Sequence, residues 1–208
     1  MTEADAAVFP PGFFARADPT PDDDFYAAPR FVTHIDAGAI AAVGALYEEL
    51  GIAGRVLDLM ASWVSHFRSP PAELVVLGMN AEELARNPDA AERHVADLNA
   101  DASLPFPDAS IDHAVCCLSV DYLTRPVEIF AEVARVLRPG GLFVNTFSNR
   151  CFPSKAIRGW LATDDAAHVE IVRTYHRLSG GFAGAEGGLR NPGARGDPLF
   201  GVWARRLA

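Results

Sequence analysis

The chain has 208 residues, of which half are apolar and 22% are charged, a balance typical of a folded globular protein. Its net charge of -9 and isoelectric point near 5.1 argue against general binding to nucleic acid or to anionic membranes. No apolar run approaches the roughly 18 residues of a membrane span. The acidic N-terminus does not resemble a signal peptide, so a cytoplasmic protein is expected.

The length favours a single domain over residues 1–208, with an N-terminal arm or lid at 1–35 and a core at 36–208. Residues 1–24 mix Pro, Asp and Ala with few periodic apolar positions, which predicts a mobile arm. The following segment to His34 is rich in aromatic residues, so it either forms a lid or packs over the core. Asp36 is expected to N-cap the first long helix.

Short apolar segments alternate with helical patterns along the rest of the chain. The predicted strands are 55–59, 73–77, 94–96, 111–118, 142–147 and 198–206, with at most a short one near 188–190. The predicted helices are 81–86, 126–137 and about 164–178, and a turn with a short helix is expected at 60–69. Such alternation predicts an α/β fold, with a mainly parallel sheet and helices on both faces.

Two motifs flank the predicted strand at 111–118: LPFPDASID at 104–112 and RVLRPGG at 135–141. With VLDL at 56–59, this block resembles class I S-adenosylmethionine-dependent methyltransferases, in particular small-molecule enzymes of the type 11 group, over about residues 51–150. The resemblance implies a Rossmann-like, doubly wound sheet of seven strands with an antiparallel last strand. It also implies S-adenosylmethionine as cofactor and methyl transfer to a small-molecule acceptor.

The first cofactor motif departs from the family pattern. In an open α/β sheet the ligand lies beyond the carboxyl end of the first strand, here just after Asp58. The family has a glycine-rich turn there, whereas this chain has Met60, Ser62 and Val64 at the matching positions. Those side chains would occupy space that the cofactor uses unless the loop takes another path, and Trp63 is expected to shape the pocket.

Three further contacts follow from the resemblance. Asn80 stands where the family has a ribose-binding acid, and an amide can accept from one hydroxyl and donate to the other. Asp97, with the backbone of Leu98, matches the adenine-facing position, although Asp101 is a rival for it. Ser119, after the fourth strand, would line the sulfonium side of the cofactor.

Candidates for chemistry and substrate binding lie near the same edge of the sheet. A general base helps when the acceptor is a hydroxyl, and His34, His66 and Tyr122 are candidates, although each residue is more typical of a structural role. A basic cluster follows the fifth strand and offers groups that bind a carboxylate or phosphate: Arg150, Lys155 and Arg158.

No HExxH or CxxC motif is present, so no metal site is expected. Cys116 and Cys117 lie inside a predicted buried strand and should be inert, whereas Cys151 should be reachable.

Two functional hypotheses stay open: an active methyltransferase, or an inactive methyltransferase-like binding or scaffold protein that has lost the cofactor. An oxidoreductase would require G-x-G-x-x-G after the first strand, which is absent. In a scaffold protein, Met60 and Trp63 should fill the pocket. In an enzyme, the pocket should be open, with Asn80 and Asp97 directed into it. The sequence identifies neither the acceptor nor the oligomeric state.

Overall fold

The computed structural model describes residues 8–208, which build one seven-stranded sheet in the order β3-β2-β1-β4-β5-β7-β6. The strands are β1 Arg55–Leu59, β2 Glu73–Gly78, β3 Ala90–Val95, β4 His113–Cys117, β5 Leu142–Phe147, β6 Glu186–Leu189 and β7 Phe200–Arg205. The helices are α1 Asp22–Tyr26, α2 Ala37–Glu49, α3 Ala81–Arg86, α4 Pro126–Val136, α5 Arg158–Leu161 and α6 Asp165–Ser179.

The predicted fold class is confirmed. Strands β1 to β5 pair in parallel, and β7 pairs antiparallel with both β5 and β6. The side chains of β1 alternate between two apolar cores: Leu57 and Leu59 pack on one face with α4 and α6, whereas Val56 packs on the other with α2. The predicted N-cap is also present, since the Asp36 carboxylate accepts from the Ala39 N–H at 2.9 Å.

The predicted short helix at 60–69 is absent, and the chain runs from β1 to β2 through an irregular loop. The Ala61 N–H bonds to the Leu77 carbonyl at 2.8 Å, which draws the loop across the end of β2. The Ser62 hydroxyl and the Trp63 indole bond to other segments, and His66 has a left-handed φ of 57°. Tertiary contacts thus outweigh local helix propensity here.

The prediction of a mobile arm is wrong for residues 8–24, and its first seven residues lie outside the described part of the chain. Phe9 is buried, and Phe13 and Phe14 pack against the same apolar core. The Asp22 carboxylate is 3% exposed and is bonded by Arg16 at 2.7 Å. Aromatic burial and ion pairing therefore fix this segment, which the mixed composition did not reveal.

Candidate functional site

A cavity of about 320 Å³ opens at the carboxyl edge of β1 to β4, where ligands bind in open α/β sheets. All seven predicted cofactor-binding residues line it: Asp58, Met60, Ser62, Asn80, Asp97, Leu98 and Ser119. Residues from the arm also line it, including Tyr26 and His34. The arm therefore forms the roof of the cavity, and the carboxyl edge of the sheet forms its floor.

The loop after β1 keeps a glycine-like backbone without a glycine. Met60 has a φ of 54°, in the left-handed region that glycine occupies most easily. Leu118, His34 and His66 also have positive φ and also line the cavity. Such conformations cost on the order of 1–3 kcal/mol each and cluster at functional sites. The Met60 side chain packs against the core rather than closing the cavity.

Trp63 packs against the arm residues that form the roof of the cavity. Its indole Nε1–H donates to the Val32 carbonyl at 3.1 Å, and its ring meets that of Phe31 edge-on. The two side chains that would fill the pocket of a scaffold protein, Met60 and Trp63, thus leave the 320 Å³ open.

Asn80 lines the cavity, but its amide already has four partners. Its Oδ1 accepts from the N–H groups of Glu82 and Glu83 at 3.0 and 3.1 Å and so caps α3. Its Nδ2 donates to the Tyr26 and Ala27 carbonyls at 2.9 and 3.1 Å. Asn80 therefore holds the arm to the sheet, and the predicted exchange of hydrogen bonds with a ribose would require it to release these contacts.

Asp97 follows β3. The two hydrogen bonds that form the turn after it both go to Oδ1, so they leave Oδ2 free. Its Oδ1 accepts from the Asn99 and Ala100 N–H groups at 2.8 and 3.3 Å. Leu98 is buried beside it, and both residues line the cavity. Asp101, the rival residue, does not line the cavity; its Oδ1 accepts from the Ser103 N–H.

Asp58 lies at the floor of the cavity, 2% exposed, and burial raises its pKa to about 7, opposed by a hydrogen bond with Ser65. Asn87 bonds to the same Ser65 hydroxyl at 2.8 Å. Asp58 therefore stays protonated between about pH 4 and pH 7, a range in which an exposed aspartate with the ordinary pKa of 3.8 is ionised. Asp121, on the 3-10 turn at Val120–Tyr122, is also buried, and its pKa is raised to about 8.

This pKa predicts how stability depends on pH. Between about pH 4 and 7 the folded chain binds the Asp58 proton and the unfolded chain does not, so the free energy of unfolding falls as pH rises. The loss is at most about 1.4 kcal/mol per pH unit for this group. Urea unfolding of Asp58→Asn should lose less stability than wild type between pH 5 and 7. An equal loss in both proteins would contradict the assignment.

His34 and His66 both line the cavity, near enough for their charges to interact. Burial lowers the pKa of each imidazole, and that of His66 is lowered further by the neighbouring His34. Both rings are therefore neutral near pH 7, which is the form that accepts a proton. Tyr122 also lines the cavity, but its hydroxyl accepts from the Phe152 N–H at 2.8 Å and burial raises its pKa, so it suits a base poorly.

The structure does not bring the predicted basic cluster together at the cavity. Lys155 is fully buried and ion-paired with Asp18 and Asp22 at 3.1 and 3.3 Å. Arg158 is exposed at the start of α5 and does not line the cavity. Only Arg150 lines it, with its Nε bonded to Asp197 at 2.7 Å. The sequence around Lys155 contains no pattern that indicates burial of its side chain.

Sequence reasoning missed Arg30, which lines the roof of the cavity. Its guanidinium lies 4.6 Å from the centre of the Phe25 ring and 5.5 Å from that of Phe152. Nη2 donates to the Phe25 carbonyl at 2.8 Å. Stacked guanidinium groups bind carboxylates well, so Arg30 adds a cationic group to the arm side of the cavity.

Two cysteines line the cavity, Cys117 and Cys151. Burial raises the pKa of Cys117 to about 12 and also raises that of Cys151, so both thiols stay protonated near neutral pH.

Within residues 8–208, no group of three or more His, Cys, Asp or Glu side chains is arranged to hold a metal ion. In the same range, no helix has the length and apolar character needed to cross a membrane.

Comparisons with known proteins show what the chain is similar to. Residues 51–145 match the family model described as a methyltransferase domain. Over 106 residues, 48% of this chain, it is 37% identical to the ubiquinone/menaquinone biosynthesis C-methyltransferase UbiE of Dinoroseobacter shibae, of which the match covers 42%. The chain spans less than half the length of each curated relative it matches.

Solved structures share the fold. An S-adenosylmethionine-dependent methyltransferase from Mesorhizobium loti aligns with a TM-score of 0.56 and 21% identity, covering 80% of this chain and 98% of that one. The Burkholderia thailandensis 1,6-didemethyltoxoflavin-N1-methyltransferase, solved with S-adenosylhomocysteine, aligns with a TM-score of 0.58 and 17% identity, covering 83% and 79%. The matched methyltransferase domain and the seven-stranded sheet with an antiparallel β7 are similar to those of class I S-adenosylmethionine-dependent methyltransferases.

Proposed function

We propose that the protein binds S-adenosylmethionine in the cavity at the carboxyl edge of the sheet and transfers its methyl group to a small-molecule acceptor. The observation that carries this proposal is the open cavity itself. Met60 replaces a family glycine, yet its left-handed φ of 54° keeps the loop on a path that leaves the cavity open. Residues with positive φ cluster at functional sites, and four of them line this cavity: His34, Met60, His66 and Leu118.

The residues of the cavity suit the parts of this cofactor. The free oxygen of Asp97 accepts from the amino group of an adenine, and Leu98 supplies an apolar neighbour for the ring. Leu118 and Ser119, after β4, lie at the cavity wall where the family places the sulfonium. When bound, the cofactor supplies an electrophilic methyl group, and the chain contributes mainly by positioning the acceptor beside it.

The acceptor is expected between the arm and the loop after β5, where Arg30, Arg150 and Phe152 line the cavity. If the acceptor atom is a hydroxyl oxygen, the neutral imidazole of His34 or His66 takes its proton. The arm closes the cavity on that side, which favours a small molecule over a polymer as acceptor. The aromatic and cationic side chains there suit an acceptor that has a flat ring or a negative charge.

Asp97→Asn tests the cofactor site. The asparagine keeps the Oδ1 that shapes the turn and replaces the free acceptor oxygen with a donor. A charged hydrogen bond is worth roughly 1.5–3 kcal/mol, so S-adenosylhomocysteine should bind about 10- to 150-fold more weakly in calorimetric titration. Asp101→Asn, outside the cavity, is the matched control and should bind like wild type. Folded wild type that gives no heat up to millimolar ligand would refute the proposal.

A further inference from the structure

Four carboxylates line the cavity: Asp22, Asp58, Glu83 and Asp97. On the side of α3, Glu83 is the one that still has acceptor positions open to a ligand. Asp22 is bound by Arg16, Asn99 and Lys155, and Asp58 is buried with a pKa near 7. Asp97 follows β3, on the side assigned to adenine. Glu83, in the first turn of α3, is the fourth.

Glu83 is held in place by one bond to each oxygen. Its Oε1 accepts from the Arg30 N–H, and its Oε2 accepts from the Ser62 hydroxyl, both at 2.6 Å. A carboxylate has about four acceptor positions, so about two remain for a ligand. Glu83 thus connects the arm, the β1 loop and the cavity through a single positioned anion.

The end of β2 supplies no acid in this chain, since Gly78, Met79 and Asn80 stand there. A Cβ at Gly78 would lie 2.1 Å from the Ala61 carbonyl oxygen, so the loop after β1 occupies the space of any side chain there. Asn80, two residues later, has all four of its amide positions filled. The position that matches the family's acid is therefore committed to holding the arm and capping α3, and the altered loop lies against the strand end beside it.

We infer that Glu83 binds the ribose hydroxyls of the cofactor, in place of an acid at the end of β2. This inference rests on the proposed function. The carboxylate approaches from the first turn of the helix, and Ser62 of the displaced loop orients it. A carboxylate suits a vicinal diol because its two oxygens accept one hydroxyl hydrogen each.

The test compares S-adenosylhomocysteine with its 2′-deoxy analogue by calorimetric titration. In wild type, removal of the hydroxyl should weaken binding about tenfold or more, since a charged hydrogen bond is lost. In Glu83→Gln the two ligands should bind with affinities within about threefold of each other. The control is Glu82→Gln, an exposed neighbour paired with Arg86 outside the cavity, which should keep the wild-type ratio.

The outcomes separate the inference from the proposed function. If Glu83→Gln weakens both ligands equally and keeps the wild-type ratio, Glu83 acts only by holding the arm and loop, and the inference is overturned while cofactor binding stands. If wild type binds neither ligand, the proposed function falls and the inference with it. Glu83→Asp is a second variant for the case in which the glutamine fails to fold. Its shorter carboxylate should also reduce the ratio.

Discussion

Lys155→Met is expected to lower the free energy of unfolding by roughly 3–5 kcal/mol, the usual cost of breaking a buried ion pair from one side. The Lys155 side chain is fully buried, and its ammonium lies 3.1 Å from Asp18 and 3.3 Å from Asp22. It also donates to the Thr20 carbonyl at 2.8 Å. The lower end of the range is expected, because Arg16 still neutralises Asp22 in the variant.

The same substitution should affect the cavity. Asp22 lines it and accepts from the Asn99 amide at 2.9 Å, so loosening the arm at Lys155 disturbs the roof. Guanidinium unfolding measures the stability change, with Arg158→Met as the matched control. Arg158 is exposed, and its substitution should change stability by about 0.5 kcal/mol or less. Equal midpoints for the two variants would show that the Lys155 cluster does not stabilise the arm.

Gly78→Ala should cost about 3 kcal/mol, near the upper end for overpacking in a filled interior. The added methyl would lie 2.1 Å from the Ala61 carbonyl oxygen, and that loop is fixed by the Ala61 N–H bond to Leu77. Either the loop moves and loses this bond, or β2 shifts within the sheet. Cofactor affinity should fall with stability, because Met60 and Ser62 belong to the same loop.

Gly184→Ala is the matched control for this substitution. Gly184 is exposed, and no atom lies within 4 Å of an added Cβ. Urea unfolding should therefore separate the two alanine variants clearly. If Gly78→Ala proves as stable as Gly184→Ala, the loop after β1 does not lie as close to the end of β2 as the Ala61 contact indicates.

The sheet could be predicted because its central strands are buried on both faces and therefore appear as short apolar runs. Strands β1 and β5 begin and end where predicted, and β2 extends one residue further. The topology then placed the residues after each strand at one edge, which is why Met60, Asn80 and Asp97 line the same cavity.

The partners of those residues could not be predicted, because they come from distant segments. Nothing local shows that Ser62 bonds to Glu83 or that Asn80 binds the arm, and these contacts replace the expected helix after β1. The one available signal was the spacing of Asn80 and Glu83, three residues apart, which is typical of a helix start and of paired polar groups there. It did not reveal that Glu83 faces the cavity.

A crystal structure of the protein with S-adenosylhomocysteine would test these proposals most directly. We expect the adenine beside Asp97 and Leu98, the ribose hydroxyls within hydrogen-bond distance of Glu83, and Met60 still in a left-handed conformation. A ligand whose adenine lies elsewhere, or a cavity that closes on its own side chains while the ligand stays in solution, would contradict the assignment of this cavity to the cofactor.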